Sequence, residues 1–582
     1  MRRRMEWRAA ATVLLLTGLS TVARGQSAGA PPTPSVAPPV GRSREVILED
    51  RIRRLEEDNR EMRELYKALA KQNEALAKRL EGSQPRPPAA EDSSVESFLG
   101  DDAVGPGSGL SPRAREGVGA QGTDARVFLP ESESFGGEKL RKRKAVVEFG
   151  EGLEFGSDDG EFKLQFHDLT QAEYRSFSPI HSGDSFLKSQ FFMPRQRWYF
   201  TGRVTKNIEF YTVINRGYGS LDLLDAFLTL RYDPRLRFRI GRMKTPYLYE
   251  YYEIAEGDLI APERSMYAGN FAGNRQEGAM FLGELFQNRI GYAAGVFNGP
   301  RRSFGDTNNA KDLYLFLNSR PFLKPRDEGG VTGAQGTGGR TRPTQNLMSD
   351  NEGPREPGPF EYLNLGGSFN IGYEQNPLQP SILTTANDQT SSSNNSVVES
   401  LSPTFFAFNN NVVEFGERAQ WSGHAAWYYK SLMMLAEYGG GFGGYALSNS
   451  HYSTRVPLQG FTVGPAYFLT GERLTRRVNV VKPRHDFRVR NGKVTGTGAI
   501  EVYARYSYLD IGKNVFTAGF ADPNLWTNQA ATTDIGVNWY LNFYTKIYFD
   551  WQHAMYGNPI ATGSERFGKS QDLLWLRFQL FF

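Results

Sequence analysis

Arg195, Arg197, Tyr199, Thr201 and Arg203 share one parity of a strand-like stretch, and Phe192, Trp198 and Phe200 hold the other. Two later stretches repeat the arrangement. Arg235, Arg237 and Arg239 alternate with Leu236, Phe238 and Ile240, while Asp225, Phe227, Thr229 and Arg231 alternate with Leu224, Ala226, Leu228 and Leu230. An arginine at the midplane of a bilayer costs ~2–4 kcal/mol, so if the greasy parity meets lipid, the arginines must turn to a wet interior. A row of guanidinium forks at strand spacing attracts anions and replaces the water around phosphate oxygens. Evenly spaced sites also hand an ion on before any one of them holds it too tightly. Asp225 lowers general anion affinity, yet it accepts hydrogen bonds from the hydroxyls of a protonated phosphate, which chloride and fully ionised sulfate do not carry. The same parity fits a plainer role, in which arginines hydrate a lumen or pair with acidic loop residues, and parity alone leaves both readings open.

The elements that would position these arginines are short and alternate with period 2. Leu363, Leu365, Phe369, Ile371 and Tyr373 oppose Asn364, Ser368, Asn370 and Glu374. Ile500, Val502, Ala504, Tyr506 and Tyr508 oppose Glu501, Tyr503, Arg505 and Ser507 in the same way. Such alternation fits a soluble sandwich or a lipid-facing barrel equally well. The final stretch favours the barrel: Leu574, Leu576, Phe578, Leu580 and Phe582 face one way and Trp575, Arg577 and Gln579 the other, so the sequence ends on an aromatic residue that closes an amphipathic strand. The 582 residues carry no cysteine and a net charge of +4, and the mean hydropathy of -0.50 is too polar for a helical membrane protein. The apolar run Ala9–Leu19, after Arg2, Arg3 and Arg4, reads as a signal peptide cut after Gly25 (1–25), which directs the chain to the cell envelope and the barrel to an outer membrane.

Between signal and barrel the pattern changes twice. Over 45–81, Leu48, Leu55, Met62, Leu69 and Leu76 alternate at spacings of three and four with Ile52, Asn59, Tyr66, Asn73 and Leu80, the heptad of an α-helical coiled coil. Dimer and trimer remain open for it, and it could tether the outer membrane to the cell wall. Residues 82–143 are rich in Gly, Pro and Ser and read as a flexible linker, leaving 144–582 as an all-β, transmembrane antiparallel barrel. The stretch 563–570 matches the phosphate-loop pattern formally, but it precedes a strand rather than a helix, so no nucleotide site is expected. Gly439, Gly441 and Gly444 read as a glycine-rich turn. The histidines show no metal spacing and no acid pair forms a catalytic constellation, so neither enzyme, cofactor nor nucleic-acid partner is expected.

Several stretches resemble the phosphate-selective porin O and P family. They are Met193-Pro194-Arg195-Gln196-Arg197, Leu224-Asp225-Ala226-Phe227, Arg239 to Pro246, Glu263-Arg264-Ser265, Asn274 to Gly278 and Ala294 to Gly299, followed by Gly471-Glu472-Arg473, Ala499 to Ser507 and Gly536 to Asn542. The resemblance implies sixteen strands, a homotrimer, long loops folded inward and a lumenal arginine ladder with lysine traps for phosphate or polyphosphate. It carries anion-binding roles to Arg195, Arg197, Asp225, Lys244, Arg264 and Arg275. Where the family shows adjacent arginines this chain has Pro194-Arg195, which removes one rung.

Overall fold

The computed structural model describes residues 145–149, 152–178, 187–217, 220–301, 305–324, 356–377, 379–386, 401–450, 452–477, 481–561 and 567–582. The expected signal peptide, coiled coil and linker lie outside the described residues. The strands in chain order are β1 (Ala145–Phe149), β2 (Leu153–Ser157), β3 (Lys163–Ser178), β4 (Gln190–Thr205), β5 (Ile208–Gly217), β6 (Ser220–Asp233), β7 (Leu236–Lys244), β8 (Arg275–Leu285), β9 (Ile290–Phe297), β10 (Asp312–Ser319) and β11 (Tyr362–Asn376). They continue as β12 (Leu383–Thr384), β13 (Thr404–Phe406), β14 (Val412–Tyr429), β15 (Leu432–Leu447), β16 (Thr454–Phe468), β17 (Arg488–Arg490), β18 (Lys493–Gly496), β19 (Ala499–Ile511), β20 (Gln529–Tyr540), β21 (Thr545–Ala561) and β22 (Phe567–Phe581).

Sixteen of these strands close a barrel. From β3 to β11, then β14 to β16, then β19 to β22, each pairs antiparallel with the next. The ring closes where β22 pairs β3 in the register Asp572↔Ser178 to Phe581↔Leu169. Closure satisfies every wall strand on both edges, which is what a strand in hydrocarbon requires. The β1–β2 hairpin pairs with the start of β3, at Leu153↔Phe166, on the edge that β22 leaves free. β12–β13 and β17–β18 are separate short pairs.

The alternation read from sequence is the inside–outside alternation of the wall. Leu365, Phe369, Ile371 and Tyr373 are exposed, whereas Asn364, Ser368, Asn370 and Glu374 are buried. On β22, Leu574, Leu576, Phe578 and Leu580 form part of an apolar outer belt with Phe281, Val296, Leu315, Ile535 and Phe549, while Trp575, Arg577 and Gln579 point inward. This belt is the surface a bilayer covers. One expected outward residue turns in. The β5–β6 register passes from Val213↔Asp225 to Ile214↔Leu223, so Leu224 is skipped; this bulge places Leu224 beside Asp225 inside the barrel, not on the outer face.

Candidate functional site

The segment between β7 and β8, residues 245–274, occupies the lumen. It carries helical turns α1 (Tyr249–Tyr252) and α2 (Met266–Phe271) and a 3-10 turn at Glu256–Asp258. It enters at Leu248 (φ 65) and leaves at Asn274 (φ 62). A positive φ at a leucine is strained, and the wall around it must hold it there: the Leu248 amide donates to Ser368 Oγ at 3.1 Å. Ser265 caps α2, its hydroxyl accepting from the Ala268 amide.

Donors from β20, β21 and β22 hold the loop's backbone oxygens. Lys546 Nζ donates to Leu259 O at 2.8 Å, Asn538 Nδ2 to Ile260 O at 2.8 Å, Gln579 Nε2 to Gly257 O at 3.1 Å and Arg577 to Pro262 O. From the far side, Glu437 accepts from the amides of Tyr249 (2.6 Å) and Glu250 (3.2 Å). A loop whose polar backbone is satisfied in this way stays inside the lumen rather than swinging into water.

The loop's acids meet the predicted arginines. Arg195 pairs with Glu263 and donates to Gln171 at 2.8 Å. Arg577 reaches the same carboxylate at 2.6 Å and Arg175 at 3.8 Å, while Arg577 and Arg175 also hold Glu173. Three guanidinium groups thus share two carboxylates. Burial pushes the Glu263 carboxyl up, but Arg195, Arg577 and Arg175 together outweigh it and bring it down to about 2.

One turn along the loop, Glu256 gathers four cations. Arg197 approaches at 2.9 Å, Lys244 at 3.5 Å, and Arg264 and Arg275 at 3.4 Å each. Arg275 Nε also bridges both oxygens of Asp225, at 3.1 and 3.0 Å. Burial would raise the Glu256 carboxyl, yet Arg197, Lys244, Arg275 and Arg264 hold it well below its ordinary value. Arg197, Asp225, Lys244, Arg264 and Arg275, named separately in the sequence, therefore form one cluster. With all six groups ionised, four cations against two carboxylates leave the cluster with more cationic than anionic groups.

The remaining expected residues lie apart from it. Arg239 donates to Thr229 Oγ1 at 3.0 Å and stacks over Phe227 at 4.2 Å. Arg237, 3% exposed, has no ion pair among the described residues. Arg203 and Arg231 are half-buried near the barrel's terminal end, Arg231 pairing with Glu209 at 2.8 Å. Arg235 is not part of the inward row. It sits in the β6–β7 turn, exposed, and pairs with Asp233, because the turn breaks the alternation.

Three arginines of the site and the place of one glycine stretch were not read from the sequence. Arg175, Arg505 and Arg577 complete the cationic ring from β3, β19 and β22; Arg505 pairs with Asp534 at 3.0 Å and donates to Glu263 O at 2.9 Å. The inward parity of Arg505 and Arg577 was the available signal. The glycines expected to form a turn lie instead inside β15, where Gly439 leaves room for the loop and Gly441 and Gly444 lie close against the β14 backbone. A Cβ at Gly439 would stand 2.4 Å from Tyr267 Oη, and one on Gly460 of β16 would stand 2.7 Å from Tyr267 Cδ2.

Solved structures align with the chain at low identity and low TM-score. OmpT of Vibrio cholerae aligns with 72% of this chain and 98% of its own at 9% identity and a TM-score of 0.39. An anion-selective porin from Comamonas acidovorans aligns with 72% and 100% at 9% identity and 0.38, and the outer membrane channel DcaP of Acinetobacter baumannii with 73% and 99% at 8% and 0.39. No curated protein matches the chain. In sequence, residues 373–582, from the end of β11 to the C-terminal aromatic and beyond the arginine-bearing β4 to β8, match the model of the family described as phosphate-selective porin O and P.

Proposed function

We propose that this outer-membrane porin lets small anions, phosphate or polyphosphate foremost, diffuse passively through a lumen narrowed by the inward loop. The observation that carries the proposal is the surplus of cations around Glu256. Arg197, Lys244, Arg264 and Arg275 outnumber Glu256 and Asp225 two to one, and burial makes that excess stronger than the same charges in water. Arg237 and Arg239 extend it toward the terminal end of the barrel. The loop carboxylates anchor the ring and keep it from binding an ion too firmly to release. Asp225, held by Arg275, orients that guanidinium, and its remaining lone pairs can accept from a protonated phosphate. The homotrimer and the anion-binding roles of single residues enter this proposal from the family resemblance.

The test is titration of phosphate into a chloride-carrying bilayer of purified protein. Block of the chloride current by phosphate, weakened about tenfold in Arg197→Ala as one charge-assisted contact is lost, supports the reading. Chloride current indifferent to phosphate would remove phosphate from it and leave a general pore.

A further inference from the structure

At the end of the barrel opposite the chain termini, a second cavity opens between the exit of the inward loop and the walls of β10, β11 and β14 to β16. Its lining differs from the constriction. Arg301 and Glu414 line it and attract one another, with no hydrogen bond or ion pair within 4 Å joining them among the described residues, and Arg301 Nε has no acceptor. Glu374 is 2% exposed; one of its oxygens lies 2.6 Å from Arg418, and Oε2 has no hydrogen-bond partner among the described residues. Arg418 is fully committed, since it also pairs with Asp312 and donates to Gly299 O at 2.8 Å. Phe408 and Tyr445, stacked at 4.7 Å, form an aromatic wall.

A buried carboxylate oxygen with no donor is costly unless a donor arrives with a ligand. Here that unsatisfied acceptor stands in one cavity with a guanidinium Nε that has no acceptor of its own. We propose that this cavity is a solute subsite for a small zwitterion, with an ammonium group at Glu374 and Glu414 and a phosphate or carboxylate at Arg301. The aromatic wall packs against the short chain joining the two ends. An inorganic anion satisfies only half of such a site, so the subsite distinguishes organic phosphates from phosphate itself. The role of the subsite rests on the porin reading, because it would load solutes ahead of the constriction; its binding does not.

Calorimetric titration of the full-length protein in detergent tests it, with phosphoethanolamine, ethanolamine and inorganic phosphate as separate probes. The expected result is saturable binding of phosphoethanolamine, tighter than either fragment, and weakened about tenfold in both Glu374→Gln and Arg301→Gln. Glu374→Gln disturbs the Arg418 pair, so Arg301→Gln, which removes the charge facing Glu414 but breaks no hydrogen bond or ion pair among the described residues, is the deciding variant. Equal affinity for phosphoethanolamine and inorganic phosphate, or unchanged binding in Arg301→Gln, overturns the subsite. Binding as expected in a protein that passes no ions would uphold the subsite and sink the porin reading.

Discussion

Glu263 and Glu256 explain how so many arginines tolerate burial. Each carboxylate is shared by three or four cations, and removing one partner of a buried ion pair typically costs about 3–5 kcal/mol because the others lose their counter-charge. Glu263→Gln leaves Arg195 and Arg577 facing a neutral amide. It should lower the unfolding free energy by an amount in that range, read as an earlier denaturant midpoint, and loosen the loop. The pH dependence follows from the same residue. A carboxyl depressed from 4.5 to about 2 contributes stability that is complete above its unfolded value and is lost as the pH falls through the folded one. Resistance to denaturant should therefore hold from about pH 7 to about pH 5 and decline below about 4.5. Glu263→Gln should flatten that decline, and an equally steep decline in the variant would contradict the assignment.

The inward loop is the element that narrows the barrel, and it packs on a stretch of wall without side chains. Tyr267 of α2 rests where Gly439 and Gly460 face the lumen. Gly460→Ala puts a methyl group against the Tyr267 ring and should shift the loop, changing single-channel conductance. Tyr267→Ala in the same background should remove the ring's share of the clash, leaving only the contact with the Tyr508 carbonyl oxygen, and so restore conductance in part; conductance unchanged in both variants would mean that the loop does not define the passage. The wall itself was legible in the sequence, because alternation such as Ile500 to Tyr508 maps directly onto lipid and lumen. The arginines of β4 and β7 could be placed for the same reason. The Glu256 and Glu263 partnerships were not legible, since a loop of mixed composition carries no periodicity to show that it turns inward. The β15 glycines misled because glycine marks turns and close approaches alike, and only the packed partner distinguishes them.

At the scale of the molecule, an apolar belt outside and a charged interior inside place the β-barrel across a membrane, with the wall's hydrogen bonds closed upon themselves. The coiled coil and linker expected from the N-terminal sequence enter as a proposed tether. Every barrel strand begins after Ala145, so deleting residues 26–143 should leave bilayer conductance unchanged while weakening attachment of the envelope layers; altered conductance would instead make that region a gate. The central claim, that a surplus of buried cations makes this lumen prefer anions, is tested most directly by the zero-current potential of the purified protein across about a tenfold potassium chloride gradient. The account predicts a potential of the sign set by chloride, reduced in Lys244→Glu. A potential of the opposite sign, or none, would contradict it.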